Sequence, residues 1–169
     1  MDSETTKPPG RKGYSKLGAI KTLSGSCLED LSIGQAADRS RSITAADLEA
    51  FAAVTGDNNP VHLDEAFAAT TSFAGRIAHG MLLAGHISAV LGAELPGSGS
   101  VYVSQTLRFR RPVRIGDLVT TRAVIIAIDN DRARVTLTTV CKVGGKTVVD
   151  GEAEVMVPRR NARAAVGAA

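Results

Sequence analysis

Tryptophan is absent from the 169 residues, and aromatics of every kind make up 4%. A stacking platform for single-stranded nucleic acid needs exposed aromatic rings, so that class of function finds no support. The core has to be assembled from Ala, Val, Leu and Ile instead. Cysteine is almost as scarce. Cys27 and Cys141 stand far apart without metal-like spacing, which fits unpaired thiols in a reducing compartment. No stretch approaches the ~20 consecutive apolar residues a membrane span requires, and the N-terminus has no apolar segment of the secretory type. The expectation is a cytoplasmic protein with no membrane partner.

A net charge of +3 at neutral pH looks like a basic protein until it is divided along the chain. Residues 1–25 carry +3 and residues 158–169 another +3, which leaves −3 for everything between. The basic character therefore belongs to the two ends, and a nucleic-acid-binding face on the folded part is not indicated. The hydrophobic fraction is 44% and the charged fraction 22%, in the range of a globular domain. We expect flexible basic tails at 1–26 and 159–169 flanking one domain at 27–158.

Along that domain, Thr44-Ala45-Ala46-Asp47 has the form of a capping box, with Asp in place of Glu or Gln at its fourth position. Leu48, Phe51, Ala52 and Thr55 follow at helical spacing, and Gly56 is placed to end the helix. Next comes Gly56-Asp57-Asn58-Asn59-Pro60-Val61-His62. Pro60 fixes its own φ and steers Asn59 away from helical geometry, predicting a bent, stiff loop over 57–62. Leu63 to Thr70 reads as a short helix with Phe67 inward. From Gly80 to Ala93 nearly every position is apolar or small, which predicts a buried helix. Beyond it the period changes to two. Val101, Val103, Gln105, Leu107 and Phe109 alternate with polar residues. Long β-branched runs at 118–128, 134–143 and 147–157 are joined by turns at Asp129-Asn130-Asp131 and Gly144-Gly145. Helices early and strands late predict an α+β domain, a curved antiparallel sheet wrapped around one long buried helix.

All three histidines, His62, His79 and His86, fall within one 25-residue window. Their spacings of 17 and 7 match no common zinc pattern, so no metal is expected. Acid–base chemistry suits the residues better. Hydration of an enoyl thioester needs a base for water, an acid for the α-carbon, and donors to the carbonyl on which enolate charge develops. A carboxylate and an imidazole can share the proton work. A backbone N–H at a helix N-terminus can hold the carbonyl. Asp57, His62 and Gly80 are residues of the types that supply such parts, which makes the set a candidate site of unspecified reaction class. Each also has a plain structural reading: Asp57 as a turn residue, His62 as a surface or hydrogen-bonded histidine, Gly80 as a helix-packing glycine.

The string Gly56 to His62 followed by His79-Gly80-Met81 resembles the signature of MaoC-like proteins of the hydratase 2 group. These are (R)-specific enoyl-CoA hydratases with the hot dog fold. The resemblance runs from about Leu28 to Val157 and takes in Leu95-Pro96-Gly97 and Leu107-Arg108-Phe109-Arg110-Arg111-Pro112-Val113. It implies a cofactor-free lyase of fatty acid metabolism, adding water reversibly to trans-2-enoyl-CoA to give the (R)-3-hydroxyacyl-CoA. Asp57 and His62 would activate the water and the Gly80 amide would receive the carbonyl. Asn59 would shape the loop, His79 would position the turn, and Ser88 would lie near the site. It further implies a homodimer with sheets joined edge to edge and acyl-CoA held between subunits. Arg110, with Arg108 and Arg111, would face CoA phosphates or simply form a solvated strand face. His86 is given no role beyond packing. Two alternatives stay open: a hot dog thioesterase, and a non-catalytic acyl-CoA- or partner-binding module.

Overall fold

The computed structural model describes residues 25–161. Most of both predicted tails lies outside the described residues. The part of the C-terminal tail within them is tied down rather than loose. The Arg160 amide donates to Glu29 Oε2 at 3.0 Å, its guanidinium reaches Asp30 at 2.5 Å, and Arg159 donates to the Asn130 carbonyl.

A 3₁₀ turn at Leu28–Asp30 leads into β1 (Ala36–Ser42), then α1 (Ala45–Thr55), α2 (Pro60–Leu63), α3 (Glu65–Ala69) and α4 (Gly80–Ala93). The strands β2 (Val101–Gln105), β3 (Arg108–Phe109), β4 (Leu118–Asp129), β5 (Arg134–Val143) and β6 (Lys146–Met156) complete the domain. The sheet order is β1-β4-β5-β6-β2, with β3 also on β6, and every pairing is antiparallel. On β4 and β5 alternate residues are buried, among them Val119, Ala123 and Ile125 on the first and Val135, Leu137 and Cys141 on the second. They meet Leu83, Ile87, Val90 and Leu91 of α4 in one core. Full burial of such aliphatic side chains contributes ~1.5–3 kcal/mol each, which is why the helix settles on this sheet. The result is the hot dog arrangement, a sheet wrapped around a central helix.

Several local expectations are corrected. β1 carries no apolar alternation, so its sequence gave no strand signal; it forms by pairing with β4 from Ala36↔Val124 to Ser42↔Leu118. The span 63–70 is not one helix. Asp64 interrupts it, capping α3 through its side chain to the Phe67 amide, and Phe67 points outward at 46% exposure while Ala68 takes the core position. The stiff loop expected over 57–62 is half helix. Pro60 occupies the first position of α2, where its missing N–H costs nothing, and Asn59 caps it. Nor is α4 buried all round: Met81, Gly85, Ser88 and Gly92 form an exposed stripe. Finally, the 101–109 run breaks into two short strands with a register shift near Tyr102, and Val101 and Val103 are exposed together with Tyr102.

Candidate active site

The site is assembled from the ends of helices. The capping box starting α1 is present in both directions, Thr44 Oγ1 accepting from the Asp47 amide and Asp47 from the Thr44 amide. Gly56 ends α1 with φ +77, the left-handed value a Cβ would strain, and turns the chain so that Asp57 follows at the surface. Asp57 Oδ1 accepts from the Asn59 amide at 3.3 Å. The turn reading of Asp57 is thus correct, yet it engages one oxygen only and the carboxylate still borders the cavity below. Asn59 in turn accepts from the Val61 amide at 3.2 Å, which fixes the start of α2 and the direction of His62.

His62 is 9% exposed, and its Nδ1 lies 2.9 Å from the Ile77 carbonyl. A carbonyl only accepts, so Nδ1 carries the proton and Nε2 is left with its lone pair. His79 has the mirror arrangement: Nε2 donates to the Asp57 carbonyl at 3.1 Å, and the unprotonated Nδ1 is buried with no partner. The two rings stack with centroids 3.8 Å apart, and Phe51 closes the far side of His79 at 4.8 Å. His79 therefore steadies both the main chain of Asp57 and the ring of His62. Sequence reading missed Arg76, whose Nε donates to the His62 carbonyl at 2.9 Å from a half-buried position. The available signal was a lone arginine within the otherwise apolar run from Phe73 to Ala78.

Gly80 is the first residue of α4, so its amide has no acceptor within the helix, and His79 offers no side-chain cap. Asp57, His62 and Gly80 line one cavity of about 530 Å³, with Met81, Phe109 and Val113 among its apolar walls. Arg110 and Arg111 stand at its edge. Arg110 is held by Asp150 through two bonds of 2.9 and 3.2 Å, and that carboxylate raises its pKa further; Arg111 donates to the Thr147 carbonyl at 2.6 Å. Ser88 is elsewhere. It lies on the exposed stripe of α4, eight residues or ~12 Å along the axis from Gly80. His86 leaves the core packing expected of it and faces a second cavity.

Asp57, His62 and His79 each bring a possible ligand atom within 4.8 Å of the others, a proximity that sequence spacing did not reveal. Each imidazole already commits one ring nitrogen to a backbone carbonyl, and the two rings lie against each other at a centroid distance of 3.8 Å, an arrangement that resembles no common zinc site. The donor set suits proton transfer better than tetrahedral ligation.

Burial lowers the pKa of His79. The bond to the Asp57 carbonyl works against this, the neighbouring His62 adds to it, and the Asp57 charge again opposes it. Since the folded value lies below the ordinary 6.5, the unfolded chain binds more protons in mild acid. Stability is then complete above about pH 6.5 and falls as pH drops towards the lowered folded value. His86, lowered chiefly by burial, acts in the same direction. Urea titrations at pH 7.5 and pH 5 should show this loss, and His79→Gln should flatten it. An unchanged pH slope in that variant would show that charging His79 is not the cause.

A carboxylate and an imidazole that line one cavity with the bare N-terminus of a central helix, on a sheet of this order, define a hot dog protein with a polar candidate site. The MaoC like domain matches residues 30–154. The chain is 50% identical over 132 residues to an (R)-specific enoyl-CoA hydratase of Rhodospirillum rubrum, covering 78% of this chain and 92% of that one. It is 51% identical over 132 residues to a 3-hydroxybutyryl-CoA dehydratase of Methylorubrum extorquens, covering 78% and 84%. The unliganded R-hydratase structure from Pseudomonas aeruginosa superposes with a TM-score of 0.77 at 47% identity, covering 80% and 88%. This chain belongs to the MaoC-like family.

Proposed function

We propose that the chain is an (R)-specific enoyl-CoA hydratase, a hydro-lyase, and that Asp57, His62 and Gly80 perform the reaction. The carrying observation is that all three line one cavity, with the Gly80 amide at the start of α4. A water placed between the Asp57 carboxylate and His62 Nε2 gives up a proton to this pair as its oxygen bonds to Cβ of the enoyl thioester. The pair then delivers a proton to Cα, so water is added across the double bond with nothing left over. The enolate oxygen formed in between is met by the Gly80 N–H and the positive end of the helix. The (R) outcome is supported by the identity of 50% to the (R)-specific enoyl-CoA hydratase of Rhodospirillum rubrum. The discriminating experiment follows loss of the enoyl chromophore of crotonyl-CoA together with free thiol. Hydration without thiol release supports this reading, and thiol release without hydration would replace it with a thioesterase.

The same reading includes a homodimer formed through β2. The sheet has two edges of opposite character. β1 presents Asp38, Arg39 and Arg41, the charged residues that discourage strand addition. β2 presents Val101, Tyr102 and Val103, respectively 51%, 37% and 45% exposed, beside the 56% exposed Met81 of α4. Pairing two β2 edges would cover these groups and the exposed stripe of α4 that carries Ser88. Arg110, at the cavity edge, is placed to meet an acyl-CoA phosphate with the donors Asp150 does not use. Val103→Glu should halve the mass seen by analytical ultracentrifugation, whereas Ser40→Glu on β1 should leave it unchanged. The reverse pattern would place the contact on β1.

A further inference from the structure

We propose that the cavity between β1, α4 and the first turn of α1 is a second binding site, taking a small oxyanion between Arg39, Arg41 and His86. The cavity has a volume of about 240 Å³ and shares no residue with the catalytic one. Its walls include Leu82, Gly85 and Ala89 of α4, of which the last two are small and leave space. A Cβ on Gly85 would meet nothing within 4 Å.

The two arginines are more than an edge guard. Residues 39 and 41 share one face of β1, and Arg39 pairs across the ladder with Thr121, which is buried at 1% exposure. Both side chains therefore stand on the side of the sheet that faces α4, where they line the cavity besides blunting the edge. They also have more donors than the cavity has acceptors. Asp47 binds Arg41 at 2.5 Å through Oδ1, but its Oδ2 already accepts from the Thr44 amide at 2.9 Å and the Thr44 hydroxyl at 2.7 Å. Arg39 Nη1 is 3.8 Å from Glu94 Oε1, beyond hydrogen-bond distance. The imidazole of His86 lines the same cavity and adds another donor. Burial, Arg41 and Arg39 all push its pKa down, with only Asp47 opposing. An incoming oxyanion accepts from the guanidinium donors that Asp47 and the more distant Glu94 leave unused, and from the ring as well. Carboxylate and phosphate share that chemistry, and guanidinium geometry fits either one.

The test is an NMR titration of the full-length chain at constant ionic strength. The His86 ring resonance, assigned with His86→Gln, is followed against inorganic phosphate and, separately, acetate. A saturable shift with one or both is expected, and the anion that saturates identifies the class recognised. Arg39→Gln, with an unchanged circular dichroism spectrum, should weaken the binding by about tenfold or more, the effect of losing one charge-assisted bond. No saturable shift with either anion, or an affinity unchanged in Arg39→Gln, would overturn the proposal.

Discussion

Asp57→Asn is expected to give a folded protein whose hydration of crotonyl-CoA is slower by about a thousandfold, in the middle of the range for losing a general acid–base group. The substitution is informative because of how Asp57 is held. One carboxylate oxygen accepts from the Asn59 amide, and an asparagine carbonyl oxygen can do the same. The Asx turn, the cap of α2 and the direction of His62 should all survive. Only the negative charge and the basic oxygen are removed. A circular dichroism spectrum and melting temperature close to the parent, with hydration nearly abolished, would separate chemistry from turn formation at this residue. Activity near that of the parent would refute the proton role and leave Asp57 as a turn residue alone.

The parts of the fold that were legible in the sequence are those whose signal is local. The Thr44/Asp47 box and Gly56 bracket α1 because capping is decided within a few residues. β5 begins at Arg134 and ends at Val143 as the alternation and the flanking turns require. β1 was not legible, since Ala36–Ser42 is exposed almost throughout and is a strand only because β4 pairs with it. Met81, Val101 and Val103 misled for a related reason. An apolar residue announces that it will be covered, but not whether by its own chain or by another.

The site divides along the same line. Asp57, His62 and Gly80 were identifiable as residue types in a pattern. Their convergence depends on contacts that span many residues: His62 to the Ile77 carbonyl, His79 to the Asp57 carbonyl, and Arg76 to the His62 carbonyl. The stacking of His62 on His79 reinforces the same point. Spacing of 17 residues is uninformative for two histidines brought together by a helix, a break and a loop. His86 shows the converse. It lies on the same helix as Gly80, yet it faces β1 and the arginines, because residues six apart on a helix are separated by about one and two-thirds turns and so point ~120° apart around the axis.

Gly80→Ala is expected to lower the hydration rate by 100-fold or more while costing little stability. Two physical effects act at this position, and the structure separates them. A Cβ there would lie 2.8 Å from Cε1 and 3.1 Å from Cδ1 of Phe109, closer than carbon atoms pack. Phe109 is 54% exposed on the short strand β3, so its ring can rotate away without disturbing the core. The fold should therefore tolerate the methyl group. The substrate carbonyl has no such freedom. It must approach the Gly80 amide to within about 3 Å, and loss of one oxyanion donor slows related reactions by ~100–1,000-fold. Phe109→Ala in the Gly80→Ala background decides between the effects. If the displaced ring blocks the cavity, removing it should restore most of the rate. If the methyl group keeps the carbonyl from the amide, the double variant should remain as slow as Gly80→Ala alone. We expect the second outcome, because an amide that receives an oxyanion is sensitive to a methyl group beside it whatever stands on the opposite wall.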